Sequence, residues 1–179
     1  QDYLSVEDVK DIYLTIDGSK HNIAAITDEA YFCNYDAEKF WGKITNIIRT
    51  DFLNLPTAVP KLTLFFPNLD AHLCKEIDKL KADYLIQIMD NNATITISKL
   101  DATKGEAINF LRQKHNINVS DCIAIGNDLN DISAFQTCGL SVAVSNAESE
   151  VRDIAKIIIE SNNDKGVEKF ILKLLSKNE

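Results

Sequence analysis

The sequence predicts an α/β protein in two parts, a small α+β layer over residues 1–100 and a parallel α/β sheet over residues 101–179. In the first part, helical and strand patterns follow one another in the order α, β-hairpin, α, β, α, β-hairpin. After Lys99, helices alternate with short, nearly all-apolar strands, which is typical of a parallel sheet covered on both faces. The predicted boundary lies between Lys99 and Thr103.

The first helix is predicted from its start signal. Ser5 is followed three residues later by Asp8, the spacing of a capping box. Two short β-type stretches follow at residues 22–27 and 30–33, separated by a turn-prone Asp-Glu pair. They predict the first hairpin.

A second helix is predicted to begin at Asp36, because the next apolar residues recur at helical spacing. Its predicted buried stripe consists of Phe40, Trp41, Ile44, Ile47 and Ile48. The rest of the first part predicts a strand, a helix and a hairpin. Their markers are Lys61–Phe66, then Leu69, Leu73, Ile77 and Leu80, then Tyr84–Met89 and Ala93–Ser98 around a turn at Asp90, Asn91 and Asn92.

The second part predicts four helices and three strands in alternation. The helices are expected at about 105–114, 130–136, 148–155 and from Val167 onward, and the strands at 122–125, 141–144 and 156–160.

Composition limits the classes of function. The 179 residues contain 19 Lys and Arg against 27 Asp and Glu, a net charge of −8. Nucleic-acid binding depends on neutralising phosphates, so this balance argues against it. No apolar run approaches the roughly 18 residues of a membrane span, and the acidic amino terminus lacks the features of a signal peptide. We therefore predict a cytoplasmic protein with no nucleic-acid or membrane partner.

The four cysteines show neither a CxxC pair nor the spacing of a metal finger. Cys122 lies in an apolar strand and Cys74 on a predicted helix. Both are expected to be buried, reduced thiols.

The most informative segment follows the strand that ends at Ile125. Gly126 breaks the strand, and the next five positions bring four oxygen-bearing side chains, those of Asn127, Asp128, Asn130 and Asp131. Ligands of open α/β sheets bind at the carboxyl ends of strands, and carboxylate and amide oxygens suit Mg²⁺. The alternative is a plain helix cap provided by Asn130.

Lys104 is a further candidate, because it stands at the start of a predicted helix, where backbone N–H groups already favour phosphate. The alternative is an ordinary surface lysine. Two later strings, residues 142–147 and 163–167, each indicate only a strand end and a helix start.

Taken in order, these strings resemble the second half of the haloacid dehalogenase superfamily. They are KGEA from Lys104, AIGNDLNDI from Ala124, VAVSNA from Val142 and NDKGV from Asn163. The likeness is greatest to the Cof-type sugar-phosphate phosphatases, which carry a type-IIB α+β cap. It covers residues 104–167 in detail and residues 1–100 as cap topology.

The resemblance implies a role for each matched residue. Lys104 would contact the transferring phosphoryl group, and Asn130 would hydrogen-bond the phosphate. Asp131 would be catalytic together with Lys104, which it orients, and would belong to the metal site with Asn127 and Asp128. Asn127 stands where most members have the Asp that ligates Mg²⁺, and its amide can still coordinate, without a full charge. Asp128 could compensate for the missing charge.

One part of the family pattern is missing from these residues. The superfamily nucleophile is the first Asp of a DxDx[TV] motif, and this sequence contains no such motif. The nearest string, residues 15–19, has Thr in the nucleophile position and is interpreted as a turn. We therefore expect the chain to start at or just inside the cap. The strand ending at Ile125 should then have an open edge, covered by the missing segment or by a second copy of the chain.

Two functions follow. The first is a Mg²⁺-dependent phosphatase of small phosphorylated metabolites such as sugar phosphates, present here as a fragment that is inactive alone. The second is a non-catalytic phosphate-binding or assembly module derived from the same family, which Asn127 in place of Asp favours.

Overall fold

The computed structural model describes residues 3–89 and 92–176. Its contacts divide the chain into two compact units, of which the first ends at Ala102 and the second begins at Thr103. The assignment of the first unit as a cap and of the second as half of a catalytic core remains an expectation.

Seven α-helices occur within the described residues. They are α1 (Val6–Thr15), α2 (Ala37–Trp41), α3 (Ala71–Leu80), α4 (Lys104–His115), α5 (Ile132–Thr137), α6 (Ser149–Ile154) and α7 (Gly166–Leu175).

Nine β-strands occur within the same described ranges. They are β1 (Asn22–Ile26), β2 (Tyr31–Cys33), β3 (Ile47–Arg49), β4 (Leu62–Phe65), β5 (Tyr84–Met89), β6 (Thr94–Lys99), β7 (Ile123–Gly126), β8 (Leu140–Val144) and β9 (Ile157–Ile159).

The first unit contains a six-stranded sheet in the order β3-β2-β1-β4-β6-β5. Its pairs are antiparallel except for β2 and β3. Alternate strand residues, among them Ile23, Leu64 and Ile97, form one buried cluster with α1 and α3. These side chains share a face because successive residues of a strand point to opposite sides. One face of the sheet is therefore the main core of the unit.

The capping box predicted at the start of α1 is confirmed. The Ser5 hydroxyl accepts from the Asp8 N–H at 3.0 Å, and the Asp8 carboxylate accepts from the Ser5 N–H at 2.7 Å. Asp8 also accepts from the Tyr84 hydroxyl at 2.8 Å and pairs with Lys99 Nζ at 2.8 Å. One carboxylate therefore links α1 to both strands of the β5–β6 hairpin.

The opposite face of this sheet carries a different set of side chains. Ala24, Cys33, Tyr35 and Ala37 form a second, smaller buried cluster, against which the half-buried Phe65 packs.

The second unit contains a parallel sheet in the order β7-β8-β9, which confirms the predicted parallel arrangement. Val144, Phe135 and Val151 belong to its core cluster. Burial is less complete at the two outer strands, where Ile123 in β7 is 41% exposed and Ile158 in β9 is 55% exposed. Within the described residues β7 pairs with β8 alone, so the predicted open edge is present.

The prediction of a long helix after Asp36 is wrong. Helix α2 ends at Trp41, because Gly42 adopts a positive φ of 76°. Ile47 and Ile48 instead belong to β3, which pairs in parallel with β2. A helical spacing of apolar residues cannot reveal a short strand that forms only by pairing with a distant one.

The prediction that Cys74 and Cys122 are buried is also wrong. Cys74 is exposed and Cys122 half-buried, whereas Cys33 and Cys138 are buried; all four thiols are free. The predicted turn at residues 15–19 is confirmed, with Asp17 at φ 52°. The predicted β5–β6 hairpin is confirmed by its strand pairing, whereas Asp90 and Asn91 of its turn lie outside the described residues.

None of the helices in the described ranges has the length and apolar character needed to cross a bilayer.

Candidate functional site

The candidate site is built around the carboxyl end of β7. The strand stops at Gly126, and a short 3₁₀ helix at Leu129–Asp131 leads directly into α5. Helix α4 begins at Lys104, and Thr103 caps it by accepting from the Glu106 N–H at 3.1 Å. The amino terminus of α4 and the carboxyl end of β7 therefore lie in the same unit.

The structure brings three predicted residues into direct contact. Lys104 Nζ donates to Asn130 Oδ1 at 2.9 Å and forms an ion pair with Asp131 Oδ1. The Lys104 side chain remains 51% exposed, whereas that of Asp131 is 10% exposed. An ammonium group has three N–H donors. Two of them are engaged here, so one is left for a ligand that approaches from solvent.

Asp131 also organises the loop that precedes it. Its Oδ2 accepts from the backbone N–H groups of Asn127 at 2.8 Å and Asp128 at 3.1 Å. Burial opposes ionisation of this carboxyl, but the hydrogen bonds from Lys104, Asn127 and Asp128 outweigh burial and lower its pKa. Asp131 therefore carries its negative charge at neutral pH and holds both the loop and Lys104 in position.

Glycine at position 126 permits this close approach. A Cβ atom there would lie 2.5 Å from the Asp131 Cβ and 2.6 Å from its Oδ2, far inside van der Waals contact. Gly105 has a similar role between α4 and α5, because a Cβ there would lie 2.6 Å from the Ser133 carbonyl oxygen. The two glycines let the backbone pack closely enough for Lys104 to reach Asp131.

The alternative prediction, that this loop caps a helix, is partly correct. The capping residue is Asp128 and not Asn130. Asp128 and Asp131 form a capping box around the 3₁₀ helix. The Asp128 carboxylate also accepts from the Leu129 N–H at 2.6 Å. A carboxylate has about four lone-pair positions, so this capping still leaves acceptor capacity on Asp128.

The loop after β7 offers Mg²⁺ only part of a coordination shell. No hydrogen bond within the described residues engages the exposed Asn127 side chain, and Asp128 retains acceptor capacity. Asp131, the third predicted ligand, has both oxygens engaged by nitrogen donors. The parts of the chain that the structure describes contain no cluster of three or more His, Cys, Asp or Glu side chains suited to a metal. Asn127 in place of a carboxylate contributes to that result.

The segment that follows β8 contacts this loop and a second, later segment. The Glu148 N–H donates to the Asn127 carbonyl at 2.9 Å. The Asn146 amide donates to Asn162 Oδ1 at 2.9 Å and accepts from the Asn162 N–H at 3.2 Å. The local sequence does not predict this asparagine pair, because the two residues are 16 positions apart.

Comparison with known proteins shows the family of the chain. A profile of the haloacid dehalogenase-like hydrolases matches residues 1–171. The chain belongs to this family. The matched range is much longer than residues 104–167, which carried the sequence resemblance.

Two relatives of this hydrolase-family chain are phosphatases by name. It is 28% identical over 135 residues to the 5-amino-6-(5-phospho-D-ribitylamino)uracil phosphatase YcsE of Bacillus subtilis, covering 74% of the chain and 54% of the relative. It is 36% identical over 90 residues to phosphoglycolate phosphatase 1 of Saccharolobus solfataricus, covering 50% of the chain and 40% of the relative. The chain therefore spans about half the length of these relatives.

The type-IIB resemblance is confirmed as a likeness of fold. The sugar phosphatase BT4131, described as a member of haloacid dehalogenase subclass IIB, superposes with a TM-score of 0.77 at 14% identity. The match covers 97% of this chain and 68% of BT4131.

Proposed function

We propose that this chain provides the phosphate-binding part of a Mg²⁺-dependent phosphatase acting on small phosphorylated metabolites, such as sugar phosphates. The observation that carries the proposal is the fixed Lys104 ammonium beside Asn130 and Asp131 at the carboxyl end of β7. Family membership supports hydrolase chemistry. The names of the relatives support a phosphate ester as substrate.

In the proposed site, Lys104 donates its remaining N–H to a phosphoryl oxygen. Asp131 keeps the ammonium in place, because one carboxylate oxygen binds it while the other binds the loop. The arrangement is preorganised, so little reorganisation is needed when charge develops on the phosphoryl oxygens. Asn127 and Asp128 would contribute oxygen ligands to Mg²⁺, which as a Lewis acid would offset phosphoryl charge.

The family reaction also needs a carboxylate nucleophile, and these 179 residues contain no DxDx[TV] motif. We propose that an additional strand, pairing with the free edge of β7, brings that carboxylate beside Lys104. The strand would come from another segment of the same protein, because a second copy of this chain would lack the motif as well. A free strand edge has unpaired N–H and C=O groups that favour such pairing.

The test compares the complete protein encoded by the gene with the 179-residue chain. The complete protein should hydrolyse p-nitrophenyl phosphate when Mg²⁺ is present, and the isolated chain should not. In the complete protein, Lys104→Ala should lower kcat by orders of magnitude. Lys114→Ala, on the same helix α4, is the matched control and should leave kcat unchanged. Turnover by the isolated chain, or an unchanged rate in Lys104→Ala, would contradict the proposal.

A second candidate is a non-catalytic phosphate-binding module. Asn127 favours it, because an amide gives the metal site less negative charge than a carboxylate. A complete protein that binds inorganic phosphate through Lys104 and shows no Mg²⁺-dependent turnover would establish this candidate. A DxDx[TV] motif elsewhere in the reading frame would favour the enzyme.

The location of the protein is also a proposal. We propose that it acts in the cytoplasm on a small metabolite, with neither nucleic acid nor membrane as partner. The net charge of −8 supports the absence of a nucleic-acid partner. Fractionation of cells that produce the complete protein checks it, and recovery in the membrane pellet would contradict it.

A further inference from the structure

Strand β9 lies at the edge of the second unit's sheet that is opposite to β7. Within the described residues it pairs with β8 alone, so its other side has no strand partner there. An edge of this kind leaves backbone N–H and C=O groups that can pair with another chain. We call residues 156–160 the β9 edge.

The centre of the β9 edge is apolar. Its three strand residues are all isoleucine, of which Ile157 is 39% exposed, Ile158 is 55% exposed and Ile159 is half-buried. β-Branched residues favour strand pairing. Natural edges are usually protected by a proline or a charged residue within the strand, and residues 157–159 contain neither. The composition of the strand therefore favours pairing at this edge.

A groove beside the strand adds to the exposed apolar surface. It has a volume of about 430 Å³ and lies between β9 and helix α7. Phe170 and Leu174 line it from the helix, and Leu140 lines it from β8. A strand that pairs with β9 would lie next to this groove, so the apolar area removed from water would exceed that of the three isoleucines alone.

The residues on either side of the isoleucines indicate which partner fits. Lys156 precedes them and Glu160 follows them, which gives the sequence Lys-Ile-Ile-Ile-Glu. If two copies of this segment pair in antiparallel fashion with Ile158 opposite Ile158, Lys156 of each copy lies opposite Glu160 of the other. Opposite charges at facing positions stabilise a strand pair, and like charges destabilise it. The β9 edge is therefore complementary in charge to a second copy of itself.

Both charged groups can accept this additional partner. Lys156 Nζ donates to the Gly139 carbonyl at 2.6 Å, and Glu160 forms an ion pair with Lys169. An ammonium group has three donors and a carboxylate about four acceptor positions, so neither group is saturated. The side chains of Glu160 and Lys169 are 59% and 56% exposed, and an ion pair at that exposure contributes little to stability.

We propose that the β9 edge pairs in antiparallel fashion with the β9 edge of a second copy of this chain. The pairing is symmetric, because the same residues contribute from both copies. It joins two sheets through β9 and leaves the opposite edge, at β7, for the additional strand proposed above. Five residues form a small contact compared with a standard interface, so the dimer is weak and reversible.

Sedimentation velocity of the complete protein encoded by the gene, over a series of concentrations, measures this association. The unaltered protein should shift from monomer towards dimer as its concentration rises. Lys156→Glu and Glu160→Lys each place like charges opposite one another at two positions of the pair. Each substitution should therefore raise the dissociation constant by about tenfold or more.

Two rescue experiments test the register of the pairing. The double variant Lys156→Glu/Glu160→Lys restores opposite charges at both positions and should associate like the unaltered protein. An equimolar mixture of the two single variants should also associate, because one variant has two negative charges along the edge and the other has two positive charges. Lys114→Glu makes the same charge reversal on helix α4 and is the matched control. It should not change the association, and it should not rescue Glu160→Lys.

Ile158→Lys provides a variant that does not depend on the charged pair. Position 158 is 55% exposed, so the substitution should leave the melting temperature almost unchanged. Two ammonium groups would then face each other at the centre of the pair, and association should be lost. A dimer that persists in Ile158→Lys would place the contact on another surface.

Three further results would overturn the inference. They are an unaltered protein that stays monomeric at every concentration, a single charge reversal that leaves the dissociation constant unchanged, and a failure of both rescue experiments. The association is measured without substrate, so loss of the proposed phosphatase function would not affect it. Conversely, phosphatase activity in a protein that stays monomeric would refute this inference and not the proposed function.

Discussion

The two units use the same local motif for different ends. In each, an aspartate closes a capping box and pairs with a lysine from another element: Asp8 with Lys99 in the first unit, Asp131 with Lys104 in the second. The surroundings of the lysines differ. The Lys99 side chain is 31% exposed and its ammonium lies 5.7 Å from the centre of the Tyr84 ring, whereas the Lys104 side chain is 51% exposed.

This difference separates a structural ion pair from a candidate site. Asp8 receives a further hydrogen bond from Tyr84, so its pair is enclosed by the β5–β6 hairpin. Lys104 instead contacts Asn130 at a strand end, where a ligand can approach. The two pairs therefore differ in the exposure of the lysine and in its neighbours, and not in the capping box itself.

The widest expected effect comes from Gly126→Ala, which would disturb both the loop and the ion pair of the second unit and leave the first pair intact. The added methyl would overlap Asp131, so the loop must shift and Lys104 loses its partner. Overpacking of this kind costs about 1–3 kcal/mol. We expect the loss in the unfolding of the second unit, measured by hydrogen exchange of β8 amides. Amides of β6 are the internal control, and equal losses in both strands would contradict the prediction.

The two aspartates should differ when each is changed to Asn. Asp8→Asn should lower the free energy of unfolding of the first unit by about 1.5–3 kcal/mol, the contribution of hydrogen bonds to a charged group. Denaturation followed by Trp41 emission measures this loss. Phosphate affinity in the second unit, measured by calorimetry, should not change. Asp131→Asn should weaken phosphate binding, and an Asp131→Asn chain that binds phosphate normally would show that the carboxylate does not position Lys104.

Lowering the pH should reduce the free energy of unfolding of both units. Burial raises the pKa of both carboxyls, but hydrogen bonds lower the pKa by more than burial raises it. These bonds come from Lys99, Ser5 and Tyr84 at Asp8, and from Lys104 and the loop backbone at Asp131. A lowered folded-state pKa stabilises the protein fully above the ordinary carboxyl value of about 4. That stabilisation is lost as pH falls through the lowered pKa. Asp8→Asn should therefore flatten the acid dependence of Trp41-detected unfolding, and an unchanged slope would contradict this.

The smallest effect on stability is expected from Lys104→Ala. Its half-exposed ion pair should contribute about 1 kcal/mol or less, yet the substitution should abolish phosphate binding. Lys99→Ala should show the reverse, a larger loss of stability with phosphate binding intact. Thermal melts and calorimetric titration of the two variants check this crossed result. Loss of phosphate binding in both would indicate a general effect on folding.

The sequence predicted the features that depend on neighbouring residues. The Ser5–Asp8 box and the β5–β6 hairpin are set by local spacing, and both were correctly placed. The strand β3 was missed, because its three residues become a strand only by pairing with β2. Gly42, which ends α2, was not recognised as a stop signal.

The candidate site, like the fold, was predictable only where it depends on neighbouring residues. Local pattern identified the oxygen-rich loop after β7. The meeting of Lys104 with Asp131, 27 residues away, followed only from family resemblance. The prediction that Phe40 and Trp41 are buried is wrong, because hydrophobicity alone does not tell whether a side chain faces other residues or water.

The bonds of Asp8 to Tyr84 and Lys99 also have a consequence during synthesis. One side chain near the beginning of the first unit joins two residues near its end, 76 positions and more along the chain. On the ribosome, this unit cannot complete its sheet until β6 has left the exit tunnel. Because the second unit begins only at Thr103, the nascent chain can finish folding the first unit while most of the second is still being translated.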